Sequence, residues 1–194
     1  MRGLRIAVLA SGSGTNLQSI IDAIESGILE SQIVSVISNK VDAFALERAR
    51  AQGIPAYYID SKVEEYDMKL LCRLEEDEVD LIVLAGYLKI ISSELIRAYR
   101  GRIINIHPSL LPKFGGKGYY GMKVHEAVLK SGEAYSGATV HFVDEGVDTG
   151  EIILQESVPV YSTDTPDILQ RRVLYEVEHK ILVQAIKKLE EERG

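Results

Sequence analysis

Apolar, β-branched runs alternate with amphipathic helical segments through the first half of the chain, and this alternation restricts the fold more than any other feature of the sequence. Residues 4–10, 33–38, 56–59, 81–85 and 103–106 read as strands. Between them, residues 17–26, 43–52, 63–76 and 92–99 repeat apolar side chains at helical spacing. Successive strands joined by helix-length crossovers lie parallel, so the pattern predicts a Rossmann-like α/β fold. Its sheet is open, mostly parallel and twisted, with helices on both faces. Residues 122–130 add a short helix. The last third changes character: residues 138–143 and 151–160 flank the loop EGVDTG and read as an antiparallel or mixed extension of the sheet. From Thr165 one long final helix is expected, with Thr163-Asp164-Thr165-Pro166 supplying a cap and a proline in the first turn. Ile168, Val173, Val177, Ile181, Ala185 and Leu189 recur along it as a core-facing stripe, and LEEERG reads as a solvated end. With no linker, repeat or low-complexity block, all 194 residues read as a single domain.

The segment NIHPSLLP, starting at Asn105, follows the apolar run Ile103-Ile104. Side chains alternate along a strand, so Asn105 and His107 share one face and Ile106 points to the other. Pro108 cannot donate to a ladder and biases His107 toward an extended backbone, which ends the strand there. An amide and an imidazole thus project from the carboxyl end of a strand, the edge where open α/β sheets bind ligands. Such a pair suits stabilising an oxyanion and moving a proton. By themselves, the same residues also fit a strand end and its turn.

Between the first strand and first helix lies Ser11-Gly12-Ser13-Gly14-Thr15-Asn16. Small residues there let backbone amides converge at a helix amino end, which favours a phosphate. A P-loop lysine is missing. A dinucleotide loop fails too, because Leu17 stands where its third glycine belongs and Asn39-Lys40 stands where its acid belongs. A phosphate monoester fits better than NAD, and a tight strand–helix turn capped by Thr15 or Asn16 would account for the same residues.

A net charge of −7 argues against a nucleic-acid or acidic-membrane partner. No stretch approaches the length of a membrane span. The single cysteine, Cys72, excludes an intrachain disulfide, reads as a buried thiol of a helix, and fits a cytoplasmic protein. The histidines besides His107, namely His125, His141 and His179, form no metal-ligand spacing, so no metal is expected. His141, in a strand beside Phe142, either faces the site or is a packed, hydrogen-bonded histidine. Ser109 lacks the glycine-flanked elbow of a hydrolase nucleophile.

Taken together, SGSGTNL from Ser11, SNK from Ser38, AGYLKII from Ala85, NIHPSLLP, and GATVHFVDEGVDTGEII from Gly137 closely resemble the folate-dependent glycinamide ribonucleotide formyltransferases of purine biosynthesis. NIHPSLLP and Asp148 mark the wider formyltransferase superfamily, and SGSGTNL narrows it to this branch. The resemblance implies a formyltransferase fold and formyl transfer from 10-formyltetrahydrofolate to the amine of 5-phosphoribosylglycinamide. It implies catalytic roles for Asn105, His107 and Asp148, with Asp148 raising the His107 pKa. Gly14, Thr15 and Asn16 match contacts to the ribonucleotide phosphate, and Glu178 loosely matches a substrate contact, while a solvated helix face would account for it equally. Leu88, Lys89, Ile90 and Ile91, with Val143 and Asp144, match segments around the folate pterin.

The chain departs from the family at Lys89, where arginine is frequent, and at Val63, where a basic residue is common and Lys62 is adjacent. Residues 114–121, FGGKGYYG, are glycine-rich and read as a flap over the substrate, or as a longer surface turn. Two other readings stay open at this level: a hydrolase of 10-formyltetrahydrofolate, and a non-catalytic nucleotide-binding module. Transfer to methionyl-tRNA would need a basic tRNA-binding domain.

Overall fold

The computed structural model describes residues 3–193. Seven strands form one sheet: β1 (Arg5–Leu9), β2 (Gln32–Ser38), β3 (Ala56–Tyr58), β4 (Leu81–Leu84), β5 (Ile103–His107), β6 (Tyr135–Phe142) and β7 (Ile152–Pro159). Their spatial order is β3-β2-β1-β4-β5-β6-β7. The pairs within β1–β5 are parallel, whereas β6 runs antiparallel to β5 and β7 antiparallel to β6. This is the expected sheet, antiparallel extension included. Helices α1 (Thr15–Glu25), α2 (Phe44–Ala51), α3 (Tyr66–Glu76), α4 (Ser93–Ala98) and α5 (Met122–Ser131) fill the crossovers and the link into β6.

Two apolar layers follow from the pleat. Ile6 and Val8 of β1 face one side with Leu17, Leu46, Ile181 and Ile186, under α1, α2 and the final helix. Ala7 and Leu9 face the other side with Leu70, Leu74 and Leu95, under α3 and α4. Helices therefore cover both faces, which a buried parallel sheet requires.

The C-terminal segment differs in detail from the expected single helix. Helix α6 (Pro166–Val173) is followed by a π-helical turn, Leu174–Glu178, and then by α7 (His179–Arg193). Thr165 caps α6 as expected, its hydroxyl accepting from the Ile168 N–H at 3.3 Å, with Pro166 in the first turn. Ile168 does not join the core stripe: it is 47 % exposed, and Leu169 is buried instead. At about 100° per residue, Ile168 lies roughly 140° around the helix from Val173, so both cannot face the sheet. Val173, Val177, Ile181 and Ala185 are buried as expected.

Cys72 is also a correction, because it is exposed. Leu70 and Leu74 turn the inner face of α3 to the sheet, and a residue two positions from each points outward. That helix begins at Tyr66, not at residue 63.

Along the sheet, the chain runs one way from β1 to β3 and resumes on the other side of β1 with β4. The carboxyl ends of β1 and β4 therefore flank the topological switch point, where this architecture leaves a crevice. The glycine loop leaves β1 there, and the AGYLKII segment leaves β4 beside it.

Candidate active site

The carboxyl end of β5 delivers Asn105, Ile106 and His107 to that crevice. Antiparallel pairing then sets His141 of β6 opposite Asn105, and Thr139 opposite His107. Asp148 arrives from the loop after β6, with a left-handed backbone (φ 58°), which carboxylate and amide residues tolerate better than most. Gly150 makes this loop possible, since any Cβ there would sit 1.8 Å from the Phe142 carbonyl oxygen.

Asn105, His107 and Asp148 converge with His141. His107 Nδ1 lies 3.6 Å from Asp148 Oδ2, and His141 Nε2 lies 3.6 Å from Asp148 Oδ1. The Asn105 amide nitrogen is 3.1 Å from His141 Nε2. Two backbone groups of the glycine-rich segment complete the arrangement. The Phe114 carbonyl accepts from His107 Nε2 at 2.8 Å, and the Gly116 N–H donates to Asp148 Oδ2 at 2.9 Å. Residues 114–121 are thus anchored onto the carboxylate and imidazole as well as lining the crevice.

Because a carbonyl only accepts, His107 Nε2 carries a proton, and Nδ1 is bare whenever the ring is neutral. The ring favours that neutral form. Burial pulls its pKa below the ordinary histidine value, outweighing the upward pull of Asp148 and the Phe114 carbonyl, and His141 adds to the lowering. Asp148 does act in the expected upward direction on His107, but the net shift is downward because water is excluded from the ring. For Asp148 the balance reverses. Burial favours its neutral form, yet His141, His107 and the Gly116 N–H together hold the carboxyl below its usual value. The resting centre therefore pairs a neutral imidazole with a charged carboxylate.

A cavity of about 340 Å³ opens onto these groups. Asn105, His107 and Asp148 line it together with Leu88, Lys89, Ile90, Ile91, Val143 and Asp144, so all the residues expected around a pterin border the same space. Leu88 and Ile90 are exposed apolar side chains on its rim, and Ile91 is buried beneath them. Lys89 stacks on the Tyr66 ring at 4.4 Å and donates to the Ser61 carbonyl at 3.4 Å. Tyr66 and Tyr87 touch through their hydroxyls. Val63 packs beside this group as a partly buried apolar residue.

Gly14, Thr15 and Asn16 lie at the other end of the crevice and do not border that cavity. Gly14 has φ 71° and precedes α1, whose first turn leaves backbone N–H groups without helical partners. A Cβ at Gly14 would come within 2.7 Å of the Ala45 Cα, so this glycine also lets α2 approach the loop. A bulky substitution there would consequently disturb packing along with any phosphate contact. Asn16 turns its side chain inward, donating from Nδ2 to Glu178 Oε2 at 2.7 Å. Glu178 is buried at the π-helical turn, and burial raises its pKa to about 7 against the opposing hydrogen bond from Asn16. Asn16 Oδ1 is buried without a partner. The tertiary structure thus buries Glu178 against the glycine loop and not on a solvated helix face.

Ser11 links the two ends of the crevice. Its hydroxyl donates to Asn39 Oδ1 at 2.6 Å and accepts from the Leu88 N–H at 2.9 Å, and its own N–H donates to the Gly86 carbonyl at 3.1 Å. Neither this bridge nor the contact of His141 with Asn105 was apparent from spacing, because both depend on which strands become neighbours. Ser109 donates to the Lys113 carbonyl at 2.7 Å, which makes it part of the PSLLP turn. Among the described residues, no cluster of three or more His, Cys, Asp or Glu side chains could hold a metal ion.

Residues 4–186 match the formyl transferase family. The chain belongs to that family. Phosphoribosylglycinamide formyltransferase, chloroplastic, of Vigna unguiculata is 47 % identical over 197 aligned residues, covering 100 % of this chain and 63 % of the plant protein. The chain thus spans less than two thirds of that relative's length. The Escherichia coli phosphoribosylglycinamide formyltransferase is 42 % identical, with 88 % of this chain and 80 % of that protein covered. Among solved structures, glycinamide ribonucleotide transformylase 1 from Symbiobacterium toebii superposes with a TM-score of 0.92 at 43 % identity, covering 99 % of this chain and 90 % of that one. The mostly parallel seven-stranded sheet is therefore the formyltransferase fold.

Proposed function

We propose that this chain transfers the formyl group of 10-formyltetrahydrofolate to the primary amine of 5-phosphoribosylglycinamide. The products are formylglycinamide ribonucleotide and tetrahydrofolate, within de novo purine biosynthesis. The observation that carries this reading is the meeting of Asn105, His107 and Asp148 at one end of a cavity bordered by Leu88–Ile91 and Val143-Asp144. An apolar-lined slot with exposed backbone groups suits a flat pterin with an amide-like edge. The glycine loop, with Glu178 beside it, suits a sugar phosphate.

In this reading the amine nitrogen attacks the formyl carbon, and the carbonyl electrons move onto oxygen. The Asn105 amide stabilises that oxyanion. His107 starts neutral, so it acts first as a proton acceptor at its bare Nδ1, directly or through water. Asp148, 3.6 Å away, stabilises the imidazolium that results. Collapse of the intermediate breaks the bond to the folate nitrogen, which leaves with the proton.

We place the whole of residues 1–194 in one catalytic domain, acting on small molecules and not on nucleic acid. A reducing cytoplasm suits its single thiol. The test is to mix protein with 10-formyltetrahydrofolate and follow tetrahydrofolate release with and without the ribonucleotide. Release that requires the ribonucleotide and yields formylated product is expected. Release without it would make the chain a hydrolase, and binding without release would make it a non-catalytic module.

A further inference from the structure

His141 is 2 % exposed, and its ring is engaged at both nitrogens. Nδ1 lies 2.8 Å from the Phe142 carbonyl oxygen. That oxygen can only accept, so Nδ1 is protonated, and Nε2 of the neutral ring is a bare acceptor. Two groups lie near Nε2. The Asn105 amide nitrogen at 3.1 Å is within hydrogen-bond reach, whereas Asp148 Oδ1 at 3.6 Å is not. An amide oxygen turned toward a bare ring nitrogen would oppose two acceptors, so His141 dictates that Asn105 presents its –NH2. One amide hydrogen goes to His141. The direction of the second is then fixed, on a residue that lines the cavity. Cross-strand pairing of Asn105 with His141 holds both backbones in register.

We propose that His141 is a positioning residue for formyl transfer, holding the Asn105 amide so that its second N–H meets the oxyanion as it develops. The proposal rests on the formyl-transfer reading above. Without the His141 acceptor, the terminal torsion of Asn105 is free to turn over and present oxygen to a centre gaining negative charge. That orientation opposes the reaction. In this role His141 takes no proton from substrate.

Nitrogen-15 NMR of ring-labelled wild-type protein reads the tautomer directly. In the neutral ring, a protonated Nδ1 and a bare Nε2 are expected, and the opposite tautomer overturns the proposal irrespective of activity. Kinetics supply the second test. His141→Leu is expected to lower kcat about 30- to 100-fold, the effect of misplacing one oxyanion donor. KM for both substrates should stay within about twofold, because the interaction is made in the transition state. His141→Gln, which offers an amide oxygen near the position of Nε2, should recover about tenfold of that loss. In an Asn105→Ala background, His141→Leu is expected to cost no further rate, since the group it positions is gone. Equal losses in the Leu and Gln variants, or the same fold loss with and without Asn105, overturn the proposal. If wild-type protein shows no ribonucleotide-dependent transfer, the functional reading fails, and the tautomer measurement still decides the geometry.

Discussion

His107 and Asp148 illustrate how one buried contact sets two protonation states. Burial keeps the imidazole neutral, and the two neighbouring histidines with the Gly116 N–H keep the carboxyl charged. His107→Ala and Asp148→Asn are each expected to lower kcat about 100-fold or more, measured by steady-state assay. Ribonucleotide affinity by calorimetry should change little, because neither residue borders the glycine loop. Asparagine tolerates the left-handed backbone at residue 148 and can still accept from Gly116, so that substitution removes charge more than shape. Glu178 carries a different signature. Its folded pKa, raised to about 7, lies above the ordinary value of 4.5, so the folded state holds a proton that the unfolded chain releases. The resulting stability is present below pH 4.5 and is lost as pH rises through about 7. Glu178→Gln stays neutral and still accepts from Asn16. Urea unfolding should show this variant gaining roughly 2–3 kcal/mol relative to wild type between pH 5 and pH 8. No relative gain would mean that Glu178 is not held protonated by burial.

At the scale of elements, the site is assembled from pieces whose local conformations have local causes. Pro108 ends β5 just after the His107 imidazole, and Thr165 starts α6. The π-helical turn inserts an extra residue per turn, and both Val177 and Glu178 of that turn face inward. Residues 114–121 gave two sequence readings, a flap or a surface turn. Their backbone in fact bonds to both His107 and Asp148. Deleting residues 115–118 should therefore raise KM, as loss of a substrate cover would, and also lower kcat about tenfold by freeing the Asp148 carboxylate. A deletion that leaves both parameters at wild-type values would show that the segment neither covers the site nor fixes the carboxylate.

For the molecule as a whole, the switch point between β1 and β4 brings the glycine loop and an apolar cavity to one crevice, with Ser11 tying them together. Stability of the whole fold also carries a pH signature from His125. This ring is buried on α5, and burial, followed by the nearby His107, lowers its pKa to about 4. The unfolded chain then binds the proton more readily, so stability is full above pH 6.5 and falls as pH drops toward 4. His125→Leu is expected to reduce the wild-type loss between pH 7 and pH 5 by about 2 kcal/mol in urea unfolding. An unchanged loss would mean that other groups govern acid sensitivity.

The sequence by itself determined the α/β alternation, the strand that ends at His107 and the glycine loop, because side-chain period and proline or glycine chemistry act within a few residues. It also placed the motifs that join the chain to its family. Tertiary structure alone decided what depends on neighbours distant in sequence. Cys72 faces water because Leu70 and Leu74 take the inner side of α3, and Ile168 yields the core to Leu169. Asn16 meets Glu178 across 162 positions of sequence, and His141 meets Asn105 through strand register. The downward shift of the His107 pKa likewise appears only once the folded chain has removed water from the ring, since desolvation depends on everything packed around a group.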